Sequence, residues 1–276
     1  MTGTLYLVAT PIGNLGDMTT RAVETLFGVD FIICEDTRHS RVLLDHFGVR
    51  KPTVSLPAFA EGERALPLVS RLAAGESAAL ITDAGSPGIS DPGERLVALA
   101  SEAGIAVVPI PGASALVAAL SASGLPSLRF HFLGFLPRAT KEATAMLEEV
   151  AGLSATLVFY EAPNRVADTL ILLGGVLGPM RRACLARELT KVHEEFRQGT
   201  LAQLAASLAD ETLKGEVVLL VEGRGAQPRW SEEQVSQALS AGLQRGERLK
   251  ALSVEVAKAA GWAGADVYKL GVGLKK

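Results

Sequence analysis

One loop combines residue types that favour ligand binding by the main chain. Between Asp83 and Gly93 every residue except Ala84 and Ile89 is Gly, Pro, Ser or Asp, and the loop follows an apolar run that ends at Ile81. Proline fixes the dihedral φ, and glycine lets a ligand approach the backbone closely. The loop therefore offers amides and carbonyls rather than charge, which favours a neutral or weakly cationic ligand of the adenosine type. A rigid connector without a ligand is the alternative.

Two further stretches concentrate charged side chains directly after apolar runs. The first, "CEDTRHSR", starts at Cys34 and holds two carboxylates and two guanidinium groups, namely Glu35, Asp36, Arg38 and Arg41. The second, "RELTKVHEEF", starts at Arg187 and includes Lys191 and His193. Either stretch is a candidate polar patch facing a substrate, with an acid available as general base. A self-contained ion network explains the same residues, so both interpretations stay open.

Several other chemistries lack their sequence signatures. The first loop, "TPIGNLGDMTTR", has Gly13 and Gly16 but matches neither the G-x-G-x-x-G dinucleotide motif nor the P-loop, which disfavours a phosphate cradle. The four histidines and two cysteines show no metal-ligand spacing, and no G-x-S-x-G nucleophile motif occurs. Neither a metal site nor covalent serine chemistry is therefore expected.

Short apolar runs alternate with amphipathic stretches along most of the chain. This alternation predicts βα units with largely parallel sheets that are buried on both faces. Ligands of such sheets bind outside the carboxyl ends of the strands, where the loops described above lie. The predicted strands are Leu5–Ala9, Phe31–Cys34, Ala78–Ile81, Ala106–Ile110, Phe130–Phe135, Thr156–Tyr160, Ala183–Ala186 and Val217–Val221. The predicted helices include Thr20–Phe27, Arg41–Phe47, Glu94–Glu102, Thr140–Val150 and Leu201–Leu208.

Breaks in this alternation divide the chain into three parts. One break lies at Gly124-Leu125-Pro126, and the second lies between Glu222 and Pro228. The prediction is an N-terminal α/β domain over residues 1–122, a C-terminal α/β domain over 123–224 and a small helical extension over 225–276. Helices are predicted in the extension over Ser231–Leu243, over Lys250–Ala260 and near Val267.

Composition restricts the cellular setting more than the chemistry. The formal net charge of −3 gives no overall signal for nucleic acid. Residues 226–276 carry 8 Lys and Arg against 5 Asp and Glu, so this extension is a candidate docking surface for an anion, although ordinary surface variation explains the balance equally well. Two cysteines exclude a disulfide framework and indicate a cytosolic protein. No signal peptide or membrane span is recognisable, so no membrane partner is expected.

Seven stretches occur in the order and with the spacing of one known family. They are "LYLVATPIGNLGDMTTRAVETL", "CEDTRHSRVLLDHFGV", "ITDAGSPGISDPG", "VVPIPGASAL", "FLGFLPR", "LVFYEAPNR" and "ARELTKVHEEF". With them the chain resembles the tetrapyrrole methylase superfamily over essentially all 276 residues, and within it the branch of ribosomal RNA 2′-O-methyltransferases. The first loop, "CEDTR" and "DAGSPGISDPG" are specific to that branch, because the porphyrin and cobalamin enzymes carry a G-x-G-x-G-D first loop and a plain G-D-P third loop.

The resemblance implies a fold, a cofactor, an activity and partners. The fold is two tandem α/β domains of the tetrapyrrole-methylase (class III methyltransferase) type with a cofactor cleft between them, plus the small helical extension. The cofactor is S-adenosylmethionine, and the activity is 2′-O-methylation of a cytidine ribose in the decoding centre of 16S rRNA, within the small ribosomal subunit. A cytoplasmic homodimer is implied as well. By the family's motifs, the cofactor site is expected at Ile12, Asp83, Gly85, Ser86, Pro87, Ile89, Ser114, Ala115 and Tyr160.

The implied reaction is the attack of a ribose hydroxyl on a methyl carbon, with a neutral thioether as the leaving group. Alignment and desolvation supply most of the rate enhancement, and a general base or a cation assists the weakly acidic hydroxyl. The expected acids near the nucleophile are Asp36 and Glu35, and the expected cations on the phosphate or the hydroxyl are Arg38, Arg187 and Lys191. The resemblance does not decide which residue is the base.

Two departures from the family pattern concern the RNA contacts. Phe59-Ala60-Glu61 stands where family members usually carry His-Asn-Glu, and only Arg138 and Lys141 stand where they usually carry a basic cluster. Two alternatives therefore stay open. One is a methylase of the same fold that acts on a small molecule such as a tetrapyrrole, and the other is a ribosome-assembly factor that performs no catalysis.

Overall fold

The first half of the chain builds a parallel five-stranded sheet in the computed structural model, which describes residues 2–209, 211, 213–225 and 230–274. The strand order is β3-β2-β4-β1-β5, and every neighbouring pair is parallel. The strands are β1 (Thr4–Val8), β2 (Phe31–Cys34), β3 (Thr53–Ser55), β4 (Ala78–Leu80) and β5 (Ala106–Ile110), and the helices that connect and follow them are α1 (Thr20–Gly28), α2 (Thr37–His46), α3 (Glu61–Ala73), α4 (Glu94–Glu102) and α5 (Ala115–Ala122).

Apolar clusters cover both faces of this sheet. One cluster packs Leu68 and Leu72 of α3 and Leu96 of α4 against the strands, and the other packs Leu26 of α1 and Leu44 of α2 against the opposite face. All four residues of β2 are buried, which is why its sequence is a continuous apolar run. The parallel direction carries the loops after β1, β4 and β5 to one edge of the sheet.

The second half of the chain builds a mixed sheet of order β6-β7-β10-β8-β9. Only β6 and β7 are parallel, and the other three pairs are antiparallel. The prediction of largely parallel sheets is therefore wrong for this half, because β8 and β9 form a hairpin and β10 runs opposite to both of its neighbours. The elements are β6 (Phe130–Phe135), α6 (Thr140–Val150), β7 (Thr156–Glu161), α7 (Val166–Leu177), β8 (Arg182–Arg187), β9 (Glu195–Thr200), α8 (Leu201–Ser207) and β10 (Val217–Val221).

The eight predicted strands are confirmed to within about one residue at each end, but two strands were not predicted. β3 has only three residues, and β9 reads "EFRQGT", in which phenylalanine is the one apolar side chain. The helix predicted over Arg41–Phe47 begins earlier, at Thr37, because the carboxylate of Asp36 caps its first turn by accepting from the Arg38 amide at 2.8 Å.

The described residues form two compact units, one that ends at Gly223 and one that starts at Arg224. The first unit contains both sheets, and a division of it between residues 122 and 123 stays a prediction. Within the described residues no helix is both long and apolar enough to cross a membrane.

The second unit consists of three helices around an apolar core of their own. They are α9 (Glu232–Gln244), α10 (Leu249–Ala260) and α11 (Gly264–Leu274), and their core includes Leu239, Leu252 and Val267. A capping box between Ser231 and Gln234 starts α9. Three of the eight basic residues behind the positive balance predicted for this extension, Arg229, Lys275 and Lys276, lie outside the described residues.

Candidate functional site

A cavity of about 500 Å³ lies where the carboxyl ends of β1, β4 and β5 meet the second sheet. The first sheet contributes its loops, and the second contributes β6, the end of β7 and the start of β10. Because β10 is antiparallel to β7, its first residues lie beside the end of β7 and reach the same cavity. The volume falls within the range of about 300–1,000 Å³ that is usual for cofactor and small-molecule sites.

Main-chain hydrogen bonds join the two glycine-containing loops of this cavity. The amide of Thr10 donates to the carbonyl of Gly85 at 2.8 Å, and the amide of Gly85 donates back to Thr10 at 3.1 Å. Gly85 has a φ of 85° and Gly88 a φ of 79°, values that glycine adopts without steric cost. Ser90 holds a φ of 63° in the same loop, which is unusual for a residue with a side chain. The loop after β4 is therefore a fixed backbone path along the cavity.

Aromatic side chains of the second sheet form an apolar wall. The ring of Tyr160 meets Phe132 at 4.8 Å and Phe135 at 5.7 Å between centroids, both edge to face. Phe132 and Phe135 are three residues apart, yet both line the cavity, because a β-bulge shifts the register between Phe132 and Gly134. Burial raises the pKa of Tyr160, so its phenol stays protonated at neutral pH.

Every charged side chain that lines the cavity within the described residues is a carboxylate: Asp83, Asp91, Glu161 and Glu216. Glu161 is buried and already satisfied, since its carboxylate accepts from the Ala162 amide and the Thr169 hydroxyl and pairs with Arg165. Burial raises the pKa of Asp91, and the charge of Asp83 raises it further. The wall is therefore negative, which suits a cationic ligand and opposes a phosphate group.

Eight of the nine residues expected to form the cofactor site line this cavity. Pro87 is the exception, although it lies within the same loop. Ser114 directly precedes α5 and Ala115 is its first residue, so the amino end of that helix faces the cavity. The eight are Ile12, Asp83, Gly85, Ser86, Ile89, Ser114, Ala115 and Tyr160.

The five residues expected to be catalytic do not line the cavity. Asp36 and Arg38 pair with each other at 3.1 Å near the end of β2, and the Arg38 side chain is 92% exposed. The hydrogen bond from Arg38 lowers the pKa of Asp36. Burial raises the pKa of Glu35, and the charges of Asp83 and Asp91 raise it further.

The other two expected cations, Arg187 and Lys191, are both occupied by carboxylates. The Arg187 guanidinium pairs with Glu195 at 3.0 Å. The Lys191 ammonium donates to Glu188 at 2.7 Å and to Glu216 at 3.1 Å. Lys191 therefore reaches the cavity wall only through Glu216.

Apart from Tyr160, sequence reasoning did not find the residues that the second sheet contributes. Phe132 and Phe135 belong to the motif "FLGFLPR", and Gly134 between them was an available signal, because a glycine inside a strand often marks a bulge. Glu216 and Val218 stand at the start of an apolar run that is buried on both faces, so no alternation indicates which side chain faces the cavity.

The residues present fit S-adenosylmethionine. Its adenosine matches an apolar and aromatic wall beside exposed backbone amides, and its positive sulfur and ammonium match a wall with carboxylates. No Lys, Arg or His side chain of the described residues lines the cavity, so a nucleotide phosphate has no counter-charge there.

Comparisons with known proteins agree with this geometry. The family model described as Tetrapyrrole (Corrin/Porphyrin) Methylases matches residues 4–205. A "Ribosomal RNA small subunit methyltransferase I" from Synechocystis sp. is 45% identical over 275 residues, which is 99% of each chain.

Two solved structures share the fold. Diphthine synthase aligns with a TM-score of 0.64 at 17% identity, over 82% of this chain and 92% of that chain. Uroporphyrin-III C-methyl transferase from Thermus thermophilus, complexed with S-adenyl homocysteine, aligns with a TM-score of 0.57 at 20% identity, over 79% of this chain and 97% of that chain. At such identities these structures establish the fold alone.

S-adenosylmethionine is the cofactor of this chain, in agreement with the fit described above. The family model covers most of the chain, and the Synechocystis relative aligns with nearly all of it. The chain therefore belongs to the tetrapyrrole methylase family, in the group of ribosomal RNA small subunit methyltransferase I proteins.

Proposed function

We propose that the chain transfers a methyl group from S-adenosylmethionine to the 2′-oxygen of a cytidine ribose in the decoding centre of 16S rRNA. The observation that carries the proposal is the cavity at which two of the branch-specific stretches, the first loop and the loop after β4, meet the second sheet. The name of the relative that is 45% identical end to end supports ribosomal RNA of the small subunit as the substrate.

The reaction needs alignment more than it needs acid–base catalysis. S-adenosylmethionine supplies an electrophilic methyl group on a positive sulfur. The loop after β4 and the aromatic wall around Tyr160 would hold a bound adenosine between them, and a fixed position would favour in-line attack. The apolar rings of this wall would also keep water from the reacting atoms.

Glu35 and Asp91 are the carboxyl groups with the properties of a proton acceptor. Asp91 lines the cavity, and its charge contributes to the raised pKa of Glu35 after burial and the charge of Asp83. A carboxyl whose pKa is raised is a better general base at neutral pH than one whose pKa is lowered. Asp36 is held by Arg38 instead, so its proposed contribution is to orient that guanidinium toward an RNA phosphate.

Arg38 is the cation proposed to contact RNA directly, since its side chain is 92% exposed. Arg187 and Lys191 are proposed to support the loop between β8 and β9, because carboxylates already occupy their charges. The helical unit from Arg224 onward is proposed to dock on RNA. We place the reaction in the cytoplasm, on the small subunit, with a homodimer as the active form.

Methyl transfer from labelled S-adenosylmethionine to small subunits that lack the modification tests the proposal. Free 16S rRNA and a tetrapyrrole precursor serve as parallel substrates, and nuclease digestion with mass spectrometry locates the label. Label on one ribose 2′-oxygen near the decoding centre is the expected result. Label on the tetrapyrrole instead indicates a small-molecule methylase, and cofactor binding without transfer to any substrate indicates an assembly factor.

Three variants identify the base in the same assay. Glu35→Gln, Asp36→Ala and Asp91→Asn are compared at saturating cofactor, and the base is the residue whose loss slows transfer about 100-fold or more while cofactor binding is kept. A fully active Asp36→Ala enzyme removes Asp36 from the mechanism.

Deletion of the chain from Arg224 onward separates the two binding functions. Every cavity residue precedes Leu219, so the shortened protein is expected to bind S-adenosylmethionine with unchanged affinity. Labelling of the small subunit is expected to fall. Unchanged labelling would remove the helical unit from RNA docking.

A further inference from the structure

Three charged residues form a cluster on the second-sheet side of the cavity, named here the Lys191 cluster: Glu188, Lys191 and Glu216. The Lys191 ammonium donates to both carboxylates, and the amide of Glu216 donates to the Glu188 carboxylate at 3.1 Å. One lysine between two carboxylates leaves a net charge of −1. The cluster therefore keeps a negative charge at the wall after its internal pairing is complete.

The backbone around this cluster adopts conformations that carry a cost. Glu188 has a φ of 51° and Thr190 a φ of 65°, both in the left-handed region that non-glycine residues avoid. Gly215 has a φ of 86°, and a methyl group on it would lie 2.2 Å from the Glu188 carboxylate. A methyl group on Gly13 would lie 2.4 Å from the Lys191 side chain. The surrounding chain therefore leaves space for this cluster and for little else.

Glu216 is the member of the cluster that faces the cavity. Its Oε2 accepts from Lys191, and within the described part of the chain no donor reaches its Oε1. Its side chain is 69% exposed while that of Glu188 is 18% exposed. One carboxylate oxygen is thus fixed by Lys191, and the other remains available to a ligand.

We infer that Glu216 binds a cationic group of S-adenosylmethionine, either its ammonium or its sulfonium. This inference rests on the proposed function, since it takes the cavity as the cofactor site. The other wall carboxylates are less suited to this task. Glu161 is satisfied within the protein, and Asp83 and Asp91 lie together on a separate loop, where burial and then the charge of Asp83 raise the pKa of Asp91.

Calorimetric titration with three ligands tests this assignment. S-adenosylmethionine carries both cations, S-adenosylhomocysteine carries only the ammonium, and 5′-deoxy-5′-methylthioadenosine carries neither. Each is titrated into the full-length wild-type protein, Glu216→Gln and Asp83→Asn. Glu76→Gln is the matched control, because it also removes one ion-paired carboxylate but pairs with Arg71 away from the cavity.

The expected result is that Glu216→Gln weakens S-adenosylmethionine about tenfold or more, the loss typical of a charge-assisted hydrogen bond, and leaves methylthioadenosine unchanged. An equal loss for S-adenosylhomocysteine identifies the ammonium, and no loss for it identifies the sulfonium. Equal effects on all three ligands, no effect on any, or a selective effect of Asp83→Asn alone would overturn the inference.

Two further results keep its failure separate from that of the proposed function. If the wild-type protein binds none of the three ligands, the proposed function fails together with the inference. If the wild type binds and Glu216→Gln does not distinguish the ligands, only the inference fails. Should Glu216→Gln not fold, Glu216→Asp withdraws the carboxylate by one methylene and is judged by the same ratio of ligand affinities.

Discussion

Replacement of Glu61 by alanine is expected to destabilise the protein and to loosen the cofactor loop. One oxygen of Glu61 accepts from the amides of Gly93 at 3.0 Å and Leu96 at 3.1 Å, across more than thirty residues of sequence. These amides belong to the first turn of α4, whose own cap, Gly93, has no side chain to satisfy them. Glu61 therefore closes the far end of the loop that begins at Asp83.

The cost of this change follows from the two bonds. Loss of a helix cap costs about 1 kcal/mol, and bonds to a charged acceptor are worth about 1.5–3 kcal/mol each, so a partly exposed pair is expected to contribute about 2 kcal/mol. For a unit of this size that loss lowers Tm by about 4–8 °C. Glu61→Gln keeps an acceptor without the charge and is expected to lose about half as much.

Chemical denaturation and cofactor titration measure the two consequences separately. If about 1 kcal/mol of loop order must be restored on binding, the Kd for S-adenosylmethionine rises about fivefold in Glu61→Ala. Thr200→Ala is the matched control, since it removes the cap of α8 in the same unit without contacting the cavity. Equal losses of stability in both variants with unchanged cofactor affinity in both would refute the reasoning that Glu61 fixes the loop.

Three further predictions follow from the glycines, the raised carboxyl pKa and the buried thiols. Gly13→Ala places a methyl group 2.4 Å from Lys191 and is expected to cost about 1–3 kcal/mol in denaturation, whereas Gly62→Ala, with open space around it, is expected to be neutral or stabilising. Because the pKa of Asp91 is raised, the folded state binds its proton more tightly than the unfolded state, and stability is lost as pH rises from the ordinary Asp pKa through the raised one. Asp91→Asn is therefore expected to melt at a higher temperature than the wild type at neutral pH and to show no gain below the ordinary Asp pKa; a gain independent of pH would contradict this. Burial raises the pKa of Cys184 to about 11, so its thiol is expected to react with Ellman's reagent only after unfolding, and rapid reaction in the native state would show that it is accessible.

Continuous apolar runs predicted the limits of strands well, and polar sequences gave no strand signal. The fully buried strands β2 and β10 have the limits that their sequences predict, and so do the more exposed strands β5 and β6. β9 was not predicted because it has one apolar side chain and carries ion-paired residues instead, such as Arg197, which pairs with Glu195 at 2.6 Å and with Glu211 at 2.6 Å. The direction of a strand could not be predicted from its sequence either, since a strand buried on both faces is apolar whether it runs parallel or antiparallel to its neighbours.

The residues of the candidate site were likewise predictable in loops but not within strands. The loops at strand ends could be predicted, because turn residues such as Gly85 mark them in the sequence. Apart from Tyr160, the side chains of the second sheet that line the cavity could not be predicted, because their orientation depends on the register and on the bulge before Gly134. The pairing of Lys191 with Glu216 depends on the distance between two separate segments, which spacing along the chain does not encode.

Because the amides and carbonyls of Thr10 and Gly85 bond to each other, part of the cofactor site is held in shape by the main chain and not by side chains. Their hydrogen bonds survive the loss of the Thr10 side chain, so an alanine scan would pass over them, and proline at either position is the change that would remove a donor. Side chains around such a site can be exchanged freely during divergence, provided that the path of the backbone is kept. Two solved structures share 17–20% of their residues with this chain and have the same fold.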